Sequence, residues 1–118
     1  MSCLFDSLSY FLKYNSNEIR QIICDYLEGN NPIIDGLDTK FVLDLDDPNY
    51  IENMRKNYQW GGGIEIQAAC NIWNIRIIIH NIRSNKRYIE FLPISKQIYG
   101  TVELSWNGYH FEAIANGA

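Results

Sequence analysis

The first part of the chain carries apolar positions at helical spacing. In residues 4–14 they form one stripe, made of Leu4, Leu8, Phe11 and Leu12. Behind Ser16, which we assign as an N-cap, a second stripe consists of Ile19, Ile22, Ile23, Tyr26 and Leu27. Apolar side chains three or four residues apart share one face of an α-helix, so both segments are predicted to be amphipathic helices. The turn formers of EGNNP end the second helix.

The middle of the chain alternates between turn formers and helical patterns. Residues 33–47, with the acidic run LDLDD, are predicted to be a solvated loop or a short helical excursion. Asp47 as N-cap and Pro48 as the first helical residue predict a helix that runs to about residue 57. The glycines of QWGGG then break the chain. A further helix is predicted over 64–73, with an inward face formed by Ile66, Ala69, Cys70 and Trp73.

The last third of the chain favours strands. Four runs are predicted to be strands from their β-branched and aromatic residues: 75–79, 87–92, 101–106 and 109–115. SNK (84–86) is predicted to be the hairpin turn between the first two, and Asn107-Gly108 the two-residue turn between the last two. Helices followed by a mostly antiparallel sheet predict an α+β fold with one core.

The composition is that of one small globular domain, which we assign to residues 1–118. Hydrophobic residues make up 47% of the chain and charged residues 20%, and the net charge is −4. The few Lys and Arg residues are scattered, which argues against a nucleic-acid-binding protein. No apolar run approaches the roughly 20 residues of a membrane span, and no basic segment precedes the first apolar stretch as in a signal peptide.

The cysteines indicate a reducing compartment. Cys3, Cys24 and Cys70 are an odd set without a CxxC pair, which is typical of a cytosolic protein rather than of a disulfide framework. Cys24 and Cys70 lie on apolar helix faces, where core packing is expected. The cysteines and the two histidines, His80 and His110, lack the spacing of zinc ligands, so we expect no metal site. His80 ends a buried strand, where a hydrogen-bonded structural histidine is expected.

Two polar residues near the end of the chain are the first candidates for chemistry. In a strand over 109–115, His110 and Glu112 share one face, because side chains alternate between the two faces. A carboxylate beside an imidazole fixes its tautomer and stabilises the imidazolium, as in a triad of nucleophile, base and acid. The alternative is a solvated strand face that carries two polar residues.

Cys3 is the second candidate. A thiol at a helix N-terminus lies near unpaired N–H groups and the positive end of the helix dipole, which favour the thiolate. The same N–H groups can hold the oxyanion of an acyl-transfer intermediate. The alternative is a small buried core residue, and only pairing with His110 gives Cys3 a chemical role.

A third pattern is the tryptophan followed by glycines at Trp60, Gly61 and Gly62. It fits either a tight turn with an anchored ring or a place where another backbone passes close, since only glycine leaves that room.

Together these motifs resemble the ovarian-tumour (OTU) family of cysteine proteases. CLFDSLS is similar to the family's nucleophile motif, and VELSWNGYHFEAI to its closing histidine strand. YIENMRKNYQWGGGIEIQAACNIWNIRIII resembles its central helix, Trp-Gly-Gly turn, helix and strand. Order and spacing match from residue 3 to about residue 114. The resemblance implies a papain-like α+β fold and a hydrolase that cuts ubiquitin, or a ubiquitin-like modifier, from lysine.

The resemblance also implies roles for individual residues. Cys3 is expected to be the nucleophile, His110 the general base, and Glu112 the third member, where many relatives carry Asp or Asn. The expected binding residues for the substrate's C-terminal tail lie in two places: Trp60, Gly61 and Gly62 in one turn, and Trp106, Asn107, Gly108 and Tyr109 in the loop before the histidine. A helical arm within 29–47 is expected to contact the body of ubiquitin. No cofactor, metal, nucleic acid or membrane is implied, and we expect a monomer.

The chain departs from the family pattern in two places. Members usually carry an Asp-Gly-Asn type of segment before the cysteine, which helps to form the oxyanion hole, whereas only Met1 and Ser2 precede Cys3. Either the chain starts late or it is a minimal form of the domain. Position 6, commonly Arg in the family, is Asp6.

The expected function is therefore that of a deubiquitinase in the cytosol, or in a host cytosol if the source is viral or an intracellular organism. Two alternatives use the same residues. One is a catalytically impaired ubiquitin-binding module, which the missing upstream segment favours. The other is a viral-type protease that cuts its own polyprotein.

Overall fold

The computed structural model describes residues 3–56, 59–83 and 87–114 of the chain. The helices are α1 (Cys3–Ser9), α2 (Ser16–Glu28), α3 (Thr39–Asp46), α4 (Tyr50–Met54) and α5 (Gly63–Trp73). The strands that follow are β1 (Ile75–Asn81), β2 (Arg87–Phe91), β3 (Gly100–Trp106) and β4 (Phe111–Ala113). The predicted α+β fold is confirmed. None of these described helices has the length and apolar character needed to cross a membrane.

The strands form a mixed sheet in the order β2-β1-β3-β4. The outer pairs β1–β2 and β3–β4 are antiparallel, as predicted, and the central pair β1–β3 is parallel. The parallel pair arises because the segment after β2 returns to the start of β1, where the Tyr99 N–H donates to the Asn74 carbonyl at 2.7 Å. The predicted SNK turn lies outside the described residues, as does residue 115 of the last predicted strand.

One face of the sheet packs against the helices. Side chains of a strand alternate between faces, and Ile77, Ile79 and Leu104 lie on the helix side with 0%, 6% and 0% of their surface exposed. The same apolar cluster contains Leu8 of α1 and Ile23 of α2. One core therefore supports both the helix that begins with Cys3 and the strands that lead to His110.

The N-cap of α2 is Asn15 rather than the predicted Ser16. The Asn15 side chain accepts from the Glu18 N–H at 2.8 Å, and the Glu18 carboxylate accepts from the Asn15 N–H at 3.0 Å. This reciprocal capping box needs a glutamate three residues after the cap, and only Asn15 satisfies that spacing. The predicted apolar face is confirmed as fully buried for Ile19, Ile23 and Leu27, and half-buried for Ile22 and Tyr26.

α1 ends at Ser9, earlier than the predicted residue 14. The turn that follows brings α2 back against α1, where the Ser16 hydroxyl donates to the Asp6 carboxylate. The apolar residues of this turn still pack at the edge of the core. The contact between α1 and α2 therefore ends α1 at Ser9, although the apolar residues continue at helical spacing to Leu12.

The segment from residue 33 to α4 also differs in part from its predicted structure. Residues 33–47 contain the helical excursion, α3, rather than only a loop. Asp47 and Pro48 do not begin a helix, because the Asp47 carboxylate accepts from the Asn49 N–H at 2.9 Å and forms a local turn that delays α4. α4 then ends at Met54, where Arg55 is the C-cap, so the predicted run to about residue 57 is too long.

The predicted two-residue turn at Asn107-Gly108 is wrong, because the connection contains four residues. Trp106 pairs with Phe111 across the ladder, so β4 begins only after His110. The Asn107 side chain accepts the N–H groups of Tyr109 and His110 at 2.9 and 2.8 Å. These two bonds stabilise the wider turn, since Asn and Asp side chains compete with the ladder for nearby backbone donors.

Candidate active site

Cys3 is the first residue of α1 and faces the interior. Its surface is 7% exposed and its thiol is free. Leu4, Phe5 and Leu8 anchor α1 in the core with 1%, 0% and 0% of their surface exposed. The Ser7 hydroxyl donates to the Cys3 carbonyl at 2.7 Å and reinforces this short helix. The thiol therefore lies at a helix N-terminal end, as the sequence predicts, on an anchored support.

Cys24 and Cys70 differ from Cys3 in their chemistry. Both are fully buried in the apolar cluster, and burial raises the pKa of each thiol to about 12. Thiols with so high a pKa are protonated and unreactive at neutral pH. The prediction that these two cysteines pack in the core is confirmed.

His110 closes the turn before β4 instead of lying on the strand as predicted. Its backbone is held by Asn107, and Gly108 in the same turn has a left-handed φ of 103°. The Nε2 atom of His110 lies 3.7 Å from Oε1 of Glu112, and the two side chains are 51% and 71% exposed. This distance exceeds that of a hydrogen bond. The two residues are therefore neighbours, as expected, but they form a loose and solvated pair.

A cleft of about 260 Å³ brings these residues together. Its lining comes from α1 and the turn after it, and from the start of β4 and the histidine turn: Cys3, Asp6, Ser7, Tyr10, His110, Phe111, Glu112 and Ala113. α1 packs directly against β4, so the two ends of the chain meet here. A thiol, an imidazole and a carboxylate in one cleft are the groups needed for acyl transfer through a thioester. Their individual catalytic roles stay predictions.

The Trp60–Gly62 turn lies beside the start of α1. A Cβ atom at Gly61 would be 2.8 Å from Cδ2 of Leu4 and 2.9 Å from Cζ of Phe5, closer than real Cβ contacts. The close approach at Gly61 is therefore with buried side chains of α1, and the alternative that another backbone passes here stays a prediction. The Trp60 side chain is half exposed next to this contact.

The loop before the histidine adjoins an apolar groove of about 210 Å³. Residues from α5 and from all four strands line it: Gly63, Ile66, Ile79, Ile89, Phe91, Trp106 and Phe111. Phe111 lines both this groove and the cleft, so the two are adjacent. Gly108 leaves room for the Arg83 guanidinium, whose Nη1 would be 2.5 Å from a Cβ there, and Tyr109 is 72% exposed. The assignment of this loop to substrate binding stays a prediction.

The cleft also contains residues that the sequence analysis did not assign to a site: Asp6, Ser7, Tyr10, Phe111 and Ala113. Asp6, Ser7 and Tyr10 follow Cys3 by three, four and seven positions, which is the spacing of one helix face. That spacing from the candidate nucleophile is the signal by which they could have been found. Asp6, which the sequence analysis named as a departure from the family pattern, places a carboxylate in the cleft.

His80 contacts Glu103 on the face of the sheet away from the helices, where its Nε2 lies 2.8 Å from Oε1 of Glu103. The expectation of a hydrogen-bonded structural histidine is confirmed. Across residues 3–56, 59–83 and 87–114 no three His, Cys, Asp or Glu side chains come together in a way that would hold a metal ion.

Comparison with known proteins agrees with this geometry. The chain matches the family model described as "OTU-like cysteine protease" over residues 2–110. It is similar to two proteins of Arabidopsis thaliana described as ovarian tumor domain-containing deubiquitinating enzymes. Enzyme 10 is 31% identical over 71 residues, which cover 59% of this chain and 20% of that protein. Enzyme 9 is 26% identical over 117 residues, which cover 96% of this chain and 32% of that protein.

The fold is similar to that of a solved OTU domain in complex with ubiquitin. The TM-score is 0.75 at 22% identity, and the match covers 95% of this chain and 62% of that one. A likeness at this identity establishes the papain-like OTU fold. The chain spans a third or less of the length of the two plant relatives.

Proposed function

Because the chain belongs to the OTU-like cysteine protease family, we propose that it is a deubiquitinase. It would hydrolyse the isopeptide or peptide bond after the C-terminal glycine of ubiquitin or a ubiquitin-like modifier. The observation that carries this proposal is the cleft shared by Cys3, His110 and Glu112. Plant relatives named as deubiquitinating enzymes, and a similar domain solved with ubiquitin, support the choice of substrate.

In the proposed reaction His110 takes the proton of the Cys3 thiol, and the thiolate attacks the carbonyl carbon of the terminal glycine. The imidazolium then protonates the leaving lysine amine, the C–N bond breaks, and a thioester to Cys3 remains. His110 next accepts a proton from water as the water attacks the thioester. This releases the free carboxylate and the thiol. Glu112 favours the imidazolium through its contact at 3.7 Å.

The C-terminal tail of the modifier is proposed to lie between the Trp60–Gly62 turn and the loop formed by Trp106–Tyr109. The apolar groove that shares Phe111 with the cleft offers space for an extended chain. Its lining exposes almost only apolar surface, which suits aliphatic side chains of the tail.

Residues 29–47 are proposed to be the arm that contacts the body of ubiquitin. α3 and the loop before it expose five large apolar side chains: Ile34, Leu37, Phe41, Val42 and Leu45. A contiguous group of this kind on a small protein usually marks an interaction site. Asp44 and Asp46 on the same helix are exposed and would suit a basic partner surface.

We place the proposed activity in the cytosol. Cys3 must remain reduced to act as a nucleophile, and the other two cysteines are free as well. We also propose that the protein acts as a monomer, because one copy of the chain supplies Cys3, His110 and Glu112 to the cleft.

A ubiquitin probe with a thiol-reactive C-terminus tests this proposal. Wild-type protein should form a covalent adduct, Cys3→Ala should form none, and the control Cys70→Ala should still be labelled. Release of aminocoumarin from ubiquitin–aminocoumarin then measures turnover. Labelling without turnover would identify an impaired ubiquitin-binding module, and a wild-type protein that is not labelled would overturn the proposal.

A further inference from the structure

Glu65 is a buried carboxylate that the proposed mechanism does not use. It lies in the first turn of α5 with 1% of its surface exposed. Its Oε1 accepts from the Gly62 N–H at 2.8 Å, and its Oε2 accepts from the Tyr50 hydroxyl at 2.6 Å. Burying a carboxylate is unfavourable unless hydrogen bonds compensate for its lost hydration. In this case they fix the end of the Trp60–Gly62 turn to α4.

A second buried charge lies near this carboxylate, close enough for the two charges to attract each other. Arg20 of α2 is 1% exposed, and its Nη1 donates to the Met54 carbonyl at the end of α4 at 2.8 Å. Its guanidinium carbon lies 4.2 Å from the centroid of the Phe5 ring. Arg20 therefore joins α4 to α1, the helix that begins with Cys3.

These contacts close into a ring. The Gly62 N–H is tied to Glu65, Glu65 to Tyr50 of α4, and α4 to α1 through Arg20. The ring closes where Gly61 presses against Leu4 and Phe5 of α1. The turn is thus held from both sides, by a buried hydrogen bond at Gly62 and by direct packing at Gly61.

We propose that Glu65, supported by Tyr50, is a positioning residue that sets the distance between the Trp60–Gly62 turn and Cys3. This inference rests on the proposed function, in which that turn borders the path of the substrate's tail. Without the tether at Gly62, the turn keeps only its packing against α1 and moves away from the tail. Substrate binding then weakens, while the thiol and its histidine remain in place.

Three variants test the tether. Tyr50→Phe removes the hydroxyl donor and keeps the ring, and Glu65→Ala removes both bonds to the carboxylate. Glu65→Gln preserves both contacts, because its carbonyl oxygen can accept from Gly62 and its amide can donate to the hydroxyl oxygen of Tyr50. Ile77→Val is the matched control, since it removes one methylene from a fully buried side chain of β1, away from the turn.

The first measurement is KM and kcat on ubiquitin–aminocoumarin together with the melting temperature. Tyr50→Phe and Glu65→Ala should raise KM about fivefold or more with kcat nearly unchanged, as expected when a binding contact is lost. Glu65→Gln should have the same KM as the wild type. Ile77→Val should lower the melting temperature and leave KM as it is. A loss of stability in Tyr50→Phe with KM unchanged would overturn the inference.

Hydrogen exchange of the Gly62 amide, followed by NMR, gives a readout that needs no turnover. Exchange should quicken in Tyr50→Phe and keep its wild-type rate in Ile77→Val, and an unchanged rate in Tyr50→Phe would refute the tether. If Glu65→Ala does not fold, Tyr50→Phe still decides both measurements. A wild-type protein without turnover would overturn the proposed function and with it the catalytic use of the tether, whatever the exchange rates.

Discussion

Replacing Glu112 with glutamine tests how strongly a carboxylate acts on His110 when both side chains face solvent. Glutamine keeps the shape of the side chain and removes its charge. The two groups are 3.7 Å apart and more than half exposed. Exposed ion pairs at such distances contribute only about 0.2–1 kcal/mol. If all of this energy stabilises the imidazolium in the transition state, kcat should fall by about 1.4- to 5-fold.

This expectation is far smaller than for a triad with a buried, hydrogen-bonded carboxylate, where the same kind of change lowers kcat about 10⁴-fold. The assay is turnover of ubiquitin–aminocoumarin at saturating substrate, measured across pH and at low and high salt. Salt screens exposed pairs, so the difference between wild type and Glu112→Gln should shrink at high salt. KM should stay unchanged, because Glu112 acts on the base and not on ubiquitin.

Glu90→Gln is the matched control, since it breaks a partly exposed pair between Glu90 of β2 and Arg76, at the opposite edge of the sheet from β4. It should leave kcat unchanged. A hundredfold loss in Glu112→Gln would refute the reasoning, because it would mean that the pair becomes short and dry when substrate binds. A wild-type rate at all salt concentrations would show that Glu112 does not act on His110.

Three further predictions concern the arm, the turn and the buried carboxylate. Phe41→Asp should raise KM for ubiquitin substrates severalfold, because Phe41 belongs to the proposed arm. The melting temperature should change little, because Phe41 is 63% exposed. The control Tyr99→Asp, at a residue that is 75% exposed and far from the arm in sequence, should leave KM unchanged. Gly61→Ala should lower the free energy of unfolding by about 1–3 kcal/mol in urea titrations, since the new Cβ overlaps side chains of α1. Gly63→Ala, which meets nothing within 4 Å, should not destabilise, and equal stability of both variants would contradict the packing argument. Burial raises the pKa of Glu65 above its ordinary value of 4.5. Above that pH the unfolded chain has lost this proton while the folded protein still holds it. The free energy of unfolding of the wild type therefore falls as the pH rises above 4.5. Thermal melts of Glu65→Gln, which cannot titrate, should therefore show a growing advantage over wild type as the pH rises above 4.5, and parallel pH profiles would contradict it.

The order and type of the main elements follow from local patterns. The helical spacing of α2 and the β-branched run of β1 agree with the buried positions of these two elements. Local sequence patterns were therefore sufficient to predict them. Cys3 and His110 were singled out from local patterns, the helix N-terminus and the alternation of His110 with Glu112, and were paired on chemical grounds. The family resemblance then supplied the role of each residue.

The remaining features depend on interactions that local patterns do not contain. α1 stops at Ser9 because α2 folds back onto Asp6, and this contact joins residues ten positions apart. The Asn107 side chain competes with the strand ladder for backbone donors, so a two-residue hairpin signal produced a four-residue turn. Glu65 lies within IEIQAA, where an acidic residue predicts a solvated position, and its hydroxyl partner is 15 positions earlier.

The contact between α1 and β4 has a consequence for the synthesis of the protein. Cys3 leaves the ribosome well before the histidine turn, although the two line the same cleft in the folded domain. At roughly 5–20 residues per second, seconds pass between them. During that interval the nascent chain carries Cys3 without His110. Chains that terminate before β4 lack this partner permanently, so under the proposed mechanism they cannot begin acyl transfer.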